Sequence, residues 1–345
     1  MSSSQSLPLT DGPVTFAGAL SLEANREYVR PWRLPFDALD LFHPALVERA
    51  GNPAGVRLTL VSDTSALTVE VEPQRDEANE PWQFDLLVDG EFHQRVSQSS
   101  ERTAITFTDL PAGEHRLEVW LHQVGVVTVR RVVIDDGAAA RAFEDARPHW
   151  VTYGSSITHC GAAAGPSETW PAIVANRYDL NLTCMGYGGN CHIEPMVARL
   201  IRDLPADYIT LKLGINVQGG STLSERTFRE MVIGMVSIIR EKHPTTPMAI
   251  VSPVLSPPRE VQVNPAGLNL QMMRDLNAEA VDRLRAHGDE HLHYVDGLQL
   301  MLESDLPLMP DALHPNADGY RLMGKRFGDI VMPLLGVDSR VGAGA

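Results

Sequence analysis

The spacing of apolar residues changes near residue 147, and this change constrains the fold of the 345-residue chain more than any other feature. Before it, short apolar runs alternate with polar residues and end at turn-forming pairs such as Asp89-Gly90. After it, short apolar runs alternate with longer segments whose apolar residues recur at helical spacing. Because a single domain rarely combines these two apolar patterns in separate halves of its sequence, we expect two domains, residues 1–146 and 147–345.

The first domain is predicted to be all-β. Alternation predicts strands at residues 56–61, 67–71, 84–88, 105–107, 115–121 and 126–134. Short strands with frequent turns are typical of an antiparallel sandwich, here a jelly-roll-like one. Trp32, Trp82 and Trp120 are expected mostly in its core, with stacking on a sugar as the alternative.

The second domain is predicted to be a three-layer α/β/α structure. Strands are expected at residues 150–153, 180–185, 208–213, 248–252 and 292–295, with helices at 168–178, 194–202, 225–242, 268–286 and 317–335. Strands separated by helices of this length predict a parallel sheet covered on both faces. Ligands bind such sheets at the carboxyl ends of their strands.

Four short motifs of the second domain carry side chains suited to acyl transfer. They are Tyr153-Gly-Ser-Ser-Ile-Thr158, Gly186-Tyr-Gly-Gly-Asn190, Gly214-Ile-Asn216 and Asp311-Ala-Leu-His-Pro315. The first three each follow a predicted strand, so their residues should meet at one edge of the sheet.

A serine hydroxyl becomes a nucleophile at neutral pH only beside a base, and His314 is the best-placed of the twelve histidines for Ser156. Asp311, three residues earlier, can fix the imidazole tautomer and stabilise the imidazolium. The N–H groups of Gly189 and Ser156 and the amide of Asn216 can stabilise a tetrahedral oxyanion.

The order of these motifs resembles that of the SGNH (GDSL-type) hydrolase superfamily, over roughly residues 150–335. With a β-sandwich in front, the chain looks similar to actinobacterial GDSL esterases and polyketide-tailoring O-acyltransferases, and more distantly to family 2 carbohydrate esterases. The resemblance implies that Ser156 is the nucleophile, His314 the base and Asp311 its orienting acid. It also implies an oxyanion hole formed by Ser156, Gly189 and Asn216, with no metal or other cofactor.

Two positions depart from the pattern of the superfamily. Ser155 stands where an aspartate usually precedes the nucleophile, and Val217 replaces the aspartate that often follows the asparagine. Two adjacent serines leave Ser155 as an alternative nucleophile or a pocket-lining residue, although the register with Gly154 favours Ser156. His192 is expected either to line the pocket or to begin a helix.

Other kinds of site fit less well. The glycines at 186–189 lack the following lysine and the spacing of a phosphate-binding loop. The spacing of His159, Cys160, Cys184, Cys191 and His192 fits no closed zinc pattern, so no metal site is expected.

The formal net charge of −15 opposes binding to nucleic acid or to an anionic membrane surface. Three cysteines and an N-terminus without a basic, apolar leader favour a cytoplasmic protein. The expected partner is a small-molecule acyl ester or thioester, and no pattern indicates the oligomeric state.

Together these features predict a serine esterase that cleaves a small acyl ester through an acyl-Ser156 intermediate, on a sugar or a glycosylated natural product. An O-acyltransferase from a thioester such as acyl-CoA to a natural-product hydroxyl would use the same residues. A non-catalytic carbohydrate-binding protein with a vestigial hydrolase domain is the alternative of another class.

Overall fold

Two compact units make up the computed structural model, which describes residues 4–74, 78 and 80–339. The first contains the residues up to 146 together with Gly165–Ser167, and the second contains residues 147–164 and those from 168 onward. No helix in the described part of the chain is long and apolar enough to cross a membrane.

The first unit is built from short strands. They are β1 (Ser4–Leu7), β2 (Thr15–Ala17), β3 (Ser21–Ala24), β4 (Val29–Trp32), β5 (Arg57–Ser62), β6 (Leu67–Val71), β7 (Trp82–Val88), β8 (Glu91–Gln98), β9 (Ala104–Phe107), β10 (His115–Trp120), β11 (Val129–Asp135) and β12 (Ala140–Arg141). One α-helix, α1 (Pro44–Ala50), follows a 3-10 helix over Phe36–Leu41. Proline at the first position of α1 suits a helix start, because its missing N–H would have no partner there.

These strands form two antiparallel sheets around one core. The first has the order β3-β4-β11-β6-β9 with β1 on β11, and the second β12-β5-β10-β7-β8 with β2 on β5. Alternate residues of β6 and β7, such as Val69 and Phe84, belong to the same buried cluster. The chain switches repeatedly from one sheet to the other, as in jelly rolls. Trp82 and Trp120 are buried, as is Trp32, so none offers an open face for sugar stacking.

The second unit alternates strands and helices. It contains β13 (His149–Gly154), α2 (Ser156–His159), α3 (Trp170–Tyr178), β14 (Asn181–Gly186), α4 (Pro195–Asp203), β15 (Tyr208–Lys212), α5 (Ile215–Gly220), α6 (Glu225–Arg240), β16 (Met248–Val251), α7 (Pro257–Glu260), α8 (Leu270–Ala286), β17 (Leu292–Val295) and α9 (Ala317–Leu334). Two 3-10 helices, Gly297–Gln299 and Glu303–Leu308, lie between β17 and α9.

All strands of the second unit are parallel, in the order β14-β13-β15-β16-β17. The connection through α3 moves one way along the sheet, and those through α4, α6 and α8 move the other way. Since such crossovers are right-handed, the two groups of helices cover opposite faces. In keeping with this, α3 packs on α9, while α6 packs on α4 and α8.

The predicted fold class is confirmed, with a parallel α/β domain after an antiparallel β domain. The predicted helix at 225–242 is α6, whose buried face includes Phe228, Val232 and Ile239. The prediction missed β1–β4, β8 and β12, and it missed α1 in a region with almost no helical periodicity. Most residues of strand β8 are half-buried or exposed and only one is buried, so the strand lacks the apolar alternation from which a strand is predicted.

Candidate active site

Three loops that carry predicted site residues leave neighbouring strands at the same edge of the sheet. Strand β13 lies between β14 and β15, with Gly154 opposite Gly186 and Tyr153 opposite Leu211. The connection that leaves β13 covers one face of the sheet, whereas those that leave its two neighbours cover the other face, so the three strands meet where the chain changes direction. Their carboxyl ends therefore lie at the topological switch point, where open α/β sheets bind ligands.

The turn after β13 gives its two serines different tasks. Ser155 is the N-cap of α2, and its hydroxyl oxygen accepts a hydrogen bond from the backbone N–H of Ile157. Its side chain is fully buried, so substrate does not reach it and the expectation that it lines the pocket is not met. Ser156 is partly exposed. Helix α2 has four residues and ends at Cys160 with a φ of 61°, so its dipole is small.

Ser156, His314 and Asp311 form one hydrogen-bonded chain. The Ser156 Oγ lies 2.8 Å from His314 Nε2, and His314 Nδ1 lies 2.6 Å from Asp311 Oδ2. Because a carboxylate only accepts, Nδ1 carries the proton and Nε2 is the acceptor for the serine hydroxyl. Partial burial would raise the pKa of Asp311, but hydrogen bonds from the side chain and backbone of His314 outweigh it and lower this pKa.

The loop that presents His314 is fixed from both ends. Asn316 caps α9 by accepting from the N–H of Gly319, which leaves Asp311 for His314. On the other side, the buried Ser256 hydroxyl donates to the carbonyl oxygen of Ala312 at 2.8 Å. Sequence reasoning missed Ser256, since a serine after a strand carries no signal of a contact 56 residues away.

Two glycines shape the loop after β14. A Cβ at Gly186 would lie 2.4 Å from the backbone nitrogen of His159, so only glycine lets α2 approach this strand end. Gly189 has a φ of 73° and open space around the missing side chain. Among the described residues, neither its backbone N–H nor that of Ser156 has a hydrogen-bond partner. Both donors are thus available to a ligand.

The amide of Asn216 is oriented by the backbone of this loop. Its Oδ1 accepts from the N–H of Cys191 at 3.0 Å, which ties the first turn of α5 to the loop after β14. Its Nδ2 has no partner in the described part of the chain, so the donor end is unoccupied. With valine at position 217, the hydrogen bond that orients Asn216 comes from the main chain.

His192 supports the same loop from outside. Its Nε2 lies 3.0 Å from the carbonyl oxygen of Gly189 and therefore donates to it, while Nδ1 lies 2.9 Å from the Thr222 hydroxyl. It precedes α4 without capping it, since Glu194 is the N-cap. Thr222 follows α5 and was not singled out in the sequence.

Two buried ionisable groups lie beneath the loops. Burial raises the pKa of the Cys191 thiol to about 12, so it stays protonated at neutral pH. Burial also lowers the pKa of Lys212 to about 8, and its ammonium nitrogen has no partner in the described chain. Lys212 ends β15 and is 3% exposed. The sequence does not reveal that this lysine is buried, because it shows only a polar residue at the end of a predicted strand.

The arrangement meets the geometric requirements of acyl transfer through a serine. A hydroxyl lies within hydrogen-bond distance of an oriented imidazole, and unpaired N–H donors lie on the loops of both flanking strands. Within the described residues no group of three or more His, Cys, Asp or Glu side chains could hold a metal ion.

A three-layer domain with a serine, histidine and aspartate at the carboxyl edge of its sheet defines the class of serine acyl-transfer enzymes with the SGNH fold. The profile of the GDSL-like lipase/acylhydrolase family matches residues 148–335, more than half of the chain. The protein therefore belongs to this family. It is an ester hydrolase or an O-acyltransferase. A second profile, that of the N-terminal domain of SsfX3, matches residues 14–130.

Solved structures agree with this assignment. The salicylyl-acyltransferase SsfX3 from a tetracycline biosynthetic pathway is 34% identical, with 97% of this chain and 98% of that chain covered and a TM-score of 0.89. A GDSL-like lipase candidate from Bacteroides ovatus is 19% identical over 98% and 99%, with a TM-score of 0.80. A family two carbohydrate esterase from Cellvibrio japonicus is 14% identical over 97% and 99%, with a TM-score of 0.64. The last two share the fold. No curated protein matches the sequence significantly.

Proposed function

We propose that the protein is a serine esterase that cleaves a small acyl ester through an acyl-Ser156 intermediate. The observation that carries this proposal is the hydrogen-bonded chain from Ser156 Oγ to His314 Nε2, at 2.8 Å, and from His314 Nδ1 to Asp311, at 2.6 Å. This arrangement supplies a nucleophile, a base and a carboxylate that fixes the base in the tautomer that accepts the serine proton.

In the proposed reaction, Ser156 Oγ attacks the ester carbonyl while His314 Nε2 takes its proton. The oxyanion accepts hydrogen bonds from the N–H groups of Ser156 and Gly189 and from Asn216 Nδ2. His314 then returns the proton to the departing alkoxide, and the carbon–oxygen bond to the alcohol breaks. Water, activated by the same imidazole, cleaves the acyl-serine bond and restores Ser156.

The proposed roles of the supporting residues follow from their contacts. His192 is a positioning residue for Gly189, because it holds the carbonyl oxygen of the residue whose N–H is the donor. Since every proposed catalytic residue belongs to the second unit, residues 147–345 form the proposed catalytic domain and residues 1–146 an accessory one.

A second candidate function is O-acyl transfer from a thioester to a hydroxyl of a natural product. It is favoured by the relative with 34% identity over nearly the full length, which is named a salicylyl-acyltransferase of a tetracycline pathway. Sugars stay proposed acceptors or scaffolds through the carbohydrate esterases, which share the fold at lower identity. A vestigial, non-catalytic domain is opposed by the intact hydrogen bonds that link Ser156, His314 and Asp311.

The buried thiols of Cys160, Cys184 and Cys191 support a reducing, cytoplasmic location.

The test is turnover of p-nitrophenyl acetate by the wild-type protein, Ser156→Ala and Ser155→Ala. We expect Ser156→Ala to lose activity by about 10⁴-fold or more, because the nucleophile is removed. Ser155→Ala, which removes only a helix cap, should keep the larger part of it. Absence of activity in the wild type, or activity in Ser156→Ala equal to it, overturns the proposal. Acyl thioester donors with and without sugar and polycyclic alcohols then separate transfer from hydrolysis.

A further inference from the structure

A cavity of about 540 Å³ opens beside the proposed nucleophile and base. Its wall is formed by Ser156, Asp311, His314 and Asn316 together with small, apolar or aromatic residues: Gly161, Ala162, Pro310, Pro315 and Tyr320. A volume of this size accommodates a ligand with two or three fused rings. All these residues belong to the second unit.

Two polar side chains of the wall are held by hydrogen bonds within the chain, whereas Asn316 Nδ2 and the Tyr320 hydroxyl have no partner in the described part of the chain. Asp311 accepts from His314, and the side-chain oxygen of Asn316 accepts from the N–H of Gly319. Tyr320 is 1% exposed, and Pro315 is also buried. The wall is still mostly carbon, because Gly161, Ala162, Pro310 and Pro315 have no polar side-chain atom. Burial of an apolar group there is favourable at roughly 25 cal/mol per Å².

The side of the nucleophile on which the cavity lies identifies the occupant. In the tetrahedral intermediate the acyl carbon carries the Ser156 oxygen, the oxyanion, the acyl chain and the alkoxy oxygen. The alkoxy oxygen must lie against His314 Nε2, which protonates it. The cavity is bounded by His314 and its own loop, whereas neither Gly189 nor Asn216 is among its described lining residues.

We infer that this cavity binds the alcohol portion of the substrate and that it selects apolar ring alcohols over sugars. This inference rests on the proposed function and deepens it. In hydrolysis the alcohol leaves through the cavity after its oxygen takes the proton from His314. In transfer the acceptor enters there: its hydroxyl gives its proton to His314, its oxygen bonds to the acyl carbon, and the carbon–Ser156 bond breaks as Oγ is reprotonated.

Two mirrored series of esters test this assignment. The first holds the acid constant as acetate and varies the alcohol through ethanol, cyclohexanol and 2-naphthol. The second holds the alcohol constant as ethanol and varies the acid through acetic, cyclohexanecarboxylic and 2-naphthoic acids. The enzymes are the wild type, Ala162→Phe, which fills the cavity from its exposed rim, and Ala286→Phe as the matched control at an exposed helix position outside it.

The expected result is selective. Relative to the wild type, Ala162→Phe should lower kcat/KM for 2-naphthyl acetate by about tenfold more than for ethyl acetate, because the ring has lost its space. Each ratio compares two enzymes on one ester, so the intrinsic reactivity of the ester cancels. 2-Naphthol should inhibit the wild type competitively and Ala162→Phe about tenfold more weakly, whereas 2-naphthoate should not distinguish them.

A selective loss on ethyl 2-naphthoate, with 2-naphthyl acetate spared, would place the acyl chain in the cavity and overturn the inference. So would profiles of Ala162→Phe and Ala286→Phe that coincide on both series. Failure of the proposed function looks different, since it appears as a wild type that turns over neither series or as a fully active Ser156→Ala.

Discussion

The described residues include two histidine–aspartate pairs of nearly the same geometry, one in each unit. His314 Nδ1 lies 2.6 Å from Asp311, and His115 Nδ1 lies 2.6 Å from Asp89. In both, the second carboxylate oxygen accepts from a backbone N–H, that of His314 in one pair and that of Arg116 in the other. Distance and partner type alone do not separate them.

The pairs differ at the other ring nitrogen. His115 Nε2 lies 3.2 Å from the carbonyl oxygen of Ala112, which only accepts, so this nitrogen must donate as well. This pair of contacts favours the doubly protonated ring, and the bonds to Asp89 and Ala112 raise the pKa of His115. His314 Nε2 instead faces the hydroxyl of Ser156 and can accept its proton. The group at Nε2 thus distinguishes a base from a structural histidine: it is a serine hydroxyl at His314 and a carbonyl oxygen at His115.

The largest expected difference between the pairs is in catalysis. His314→Ala should lower kcat for p-nitrophenyl acetate by about 10⁴-fold, because Ser156 loses its base. His115→Ala should stay close to the wild-type rate. Steady-state kinetics of both variants, with circular dichroism to verify folding, makes the comparison. A similar loss in both would mean that the geometry beyond the pair does not matter.

The two aspartates should differ in the same direction by a smaller factor. Asp311→Asn should lower kcat by about 10²–10³-fold, because an amide no longer stabilises the imidazolium or enforces the Nε2-acceptor tautomer. Asp89→Asn should leave kcat unchanged. The measurement is kcat over pH 6 to 9, and a wild-type profile for Asp311→Asn would contradict the role given to Asp311.

Donors around the reacting carbonyl are the next feature that only the second unit supplies. Asn216→Asp keeps an oxygen that accepts from the N–H of Cys191 but loses the Nδ2 donor. We expect kcat to fall by about 10²-fold, with a smaller change in KM, as is typical for loss of one oxyanion donor. Asn216→Ala loses both contacts and serves as the comparison. An active Asn216→Asp beside an inactive Asn216→Ala would leave Asn216 only a structural role.

The pair in the first unit should instead be visible in stability. The raised pKa of His115 contributes stability that is fully present below its unfolded value and is lost as pH rises through the raised value. Burial alone would raise the pKa of Asp89, but hydrogen bonds from His115 and Arg116 lower it, so its contribution disappears as pH falls through that lowered value.

Asp89→Asn should therefore lower the free energy of unfolding most near pH 5.5 and less at pH 9. The decrease should be at most about 1 kcal/mol, as for other surface pairs. Urea unfolding of the wild type and Asp89→Asn at both pH values measures this. A decrease in the free energy of unfolding that is larger at pH 9 than at pH 5.5 would contradict this prediction.

The sequence carries the parts of this structure that depend on side-chain identity and spacing. The boundary near residue 147, the strands of the parallel sheet and the order of Ser156, Gly189, Asn216 and His314 all follow from local patterns. Contacts through backbone are not encoded in that way. The N–H of Cys191 orients Asn216, and the carbonyl oxygen of Ala112 contacts the His115 ring. Every residue type supplies a carbonyl, and every type except proline supplies an N–H.

Burial also escaped prediction. Ser155 and Ser156 are chemically equal in the sequence, and only the turn after β13 buries one hydroxyl as a helix cap and leaves the other beside His314. The half-buried strand β8 and the short strands β1 to β4 lack the apolar alternation from which a strand is predicted. They are held by pairing with neighbours far along the chain, such as β1 with β11.

The central claim is that Ser156 is the nucleophile because His314 faces it. A fluorophosphonate probe followed by intact-mass measurement and peptide mapping tests this most directly. We predict one adduct, on Ser156, in the wild type and in His115→Ala, none in Ser156→Ala, and labelling slowed by several orders of magnitude in His314→Ala. An adduct on Ser155 or Cys191, or ester hydrolysis by a protein that takes no label, would contradict it.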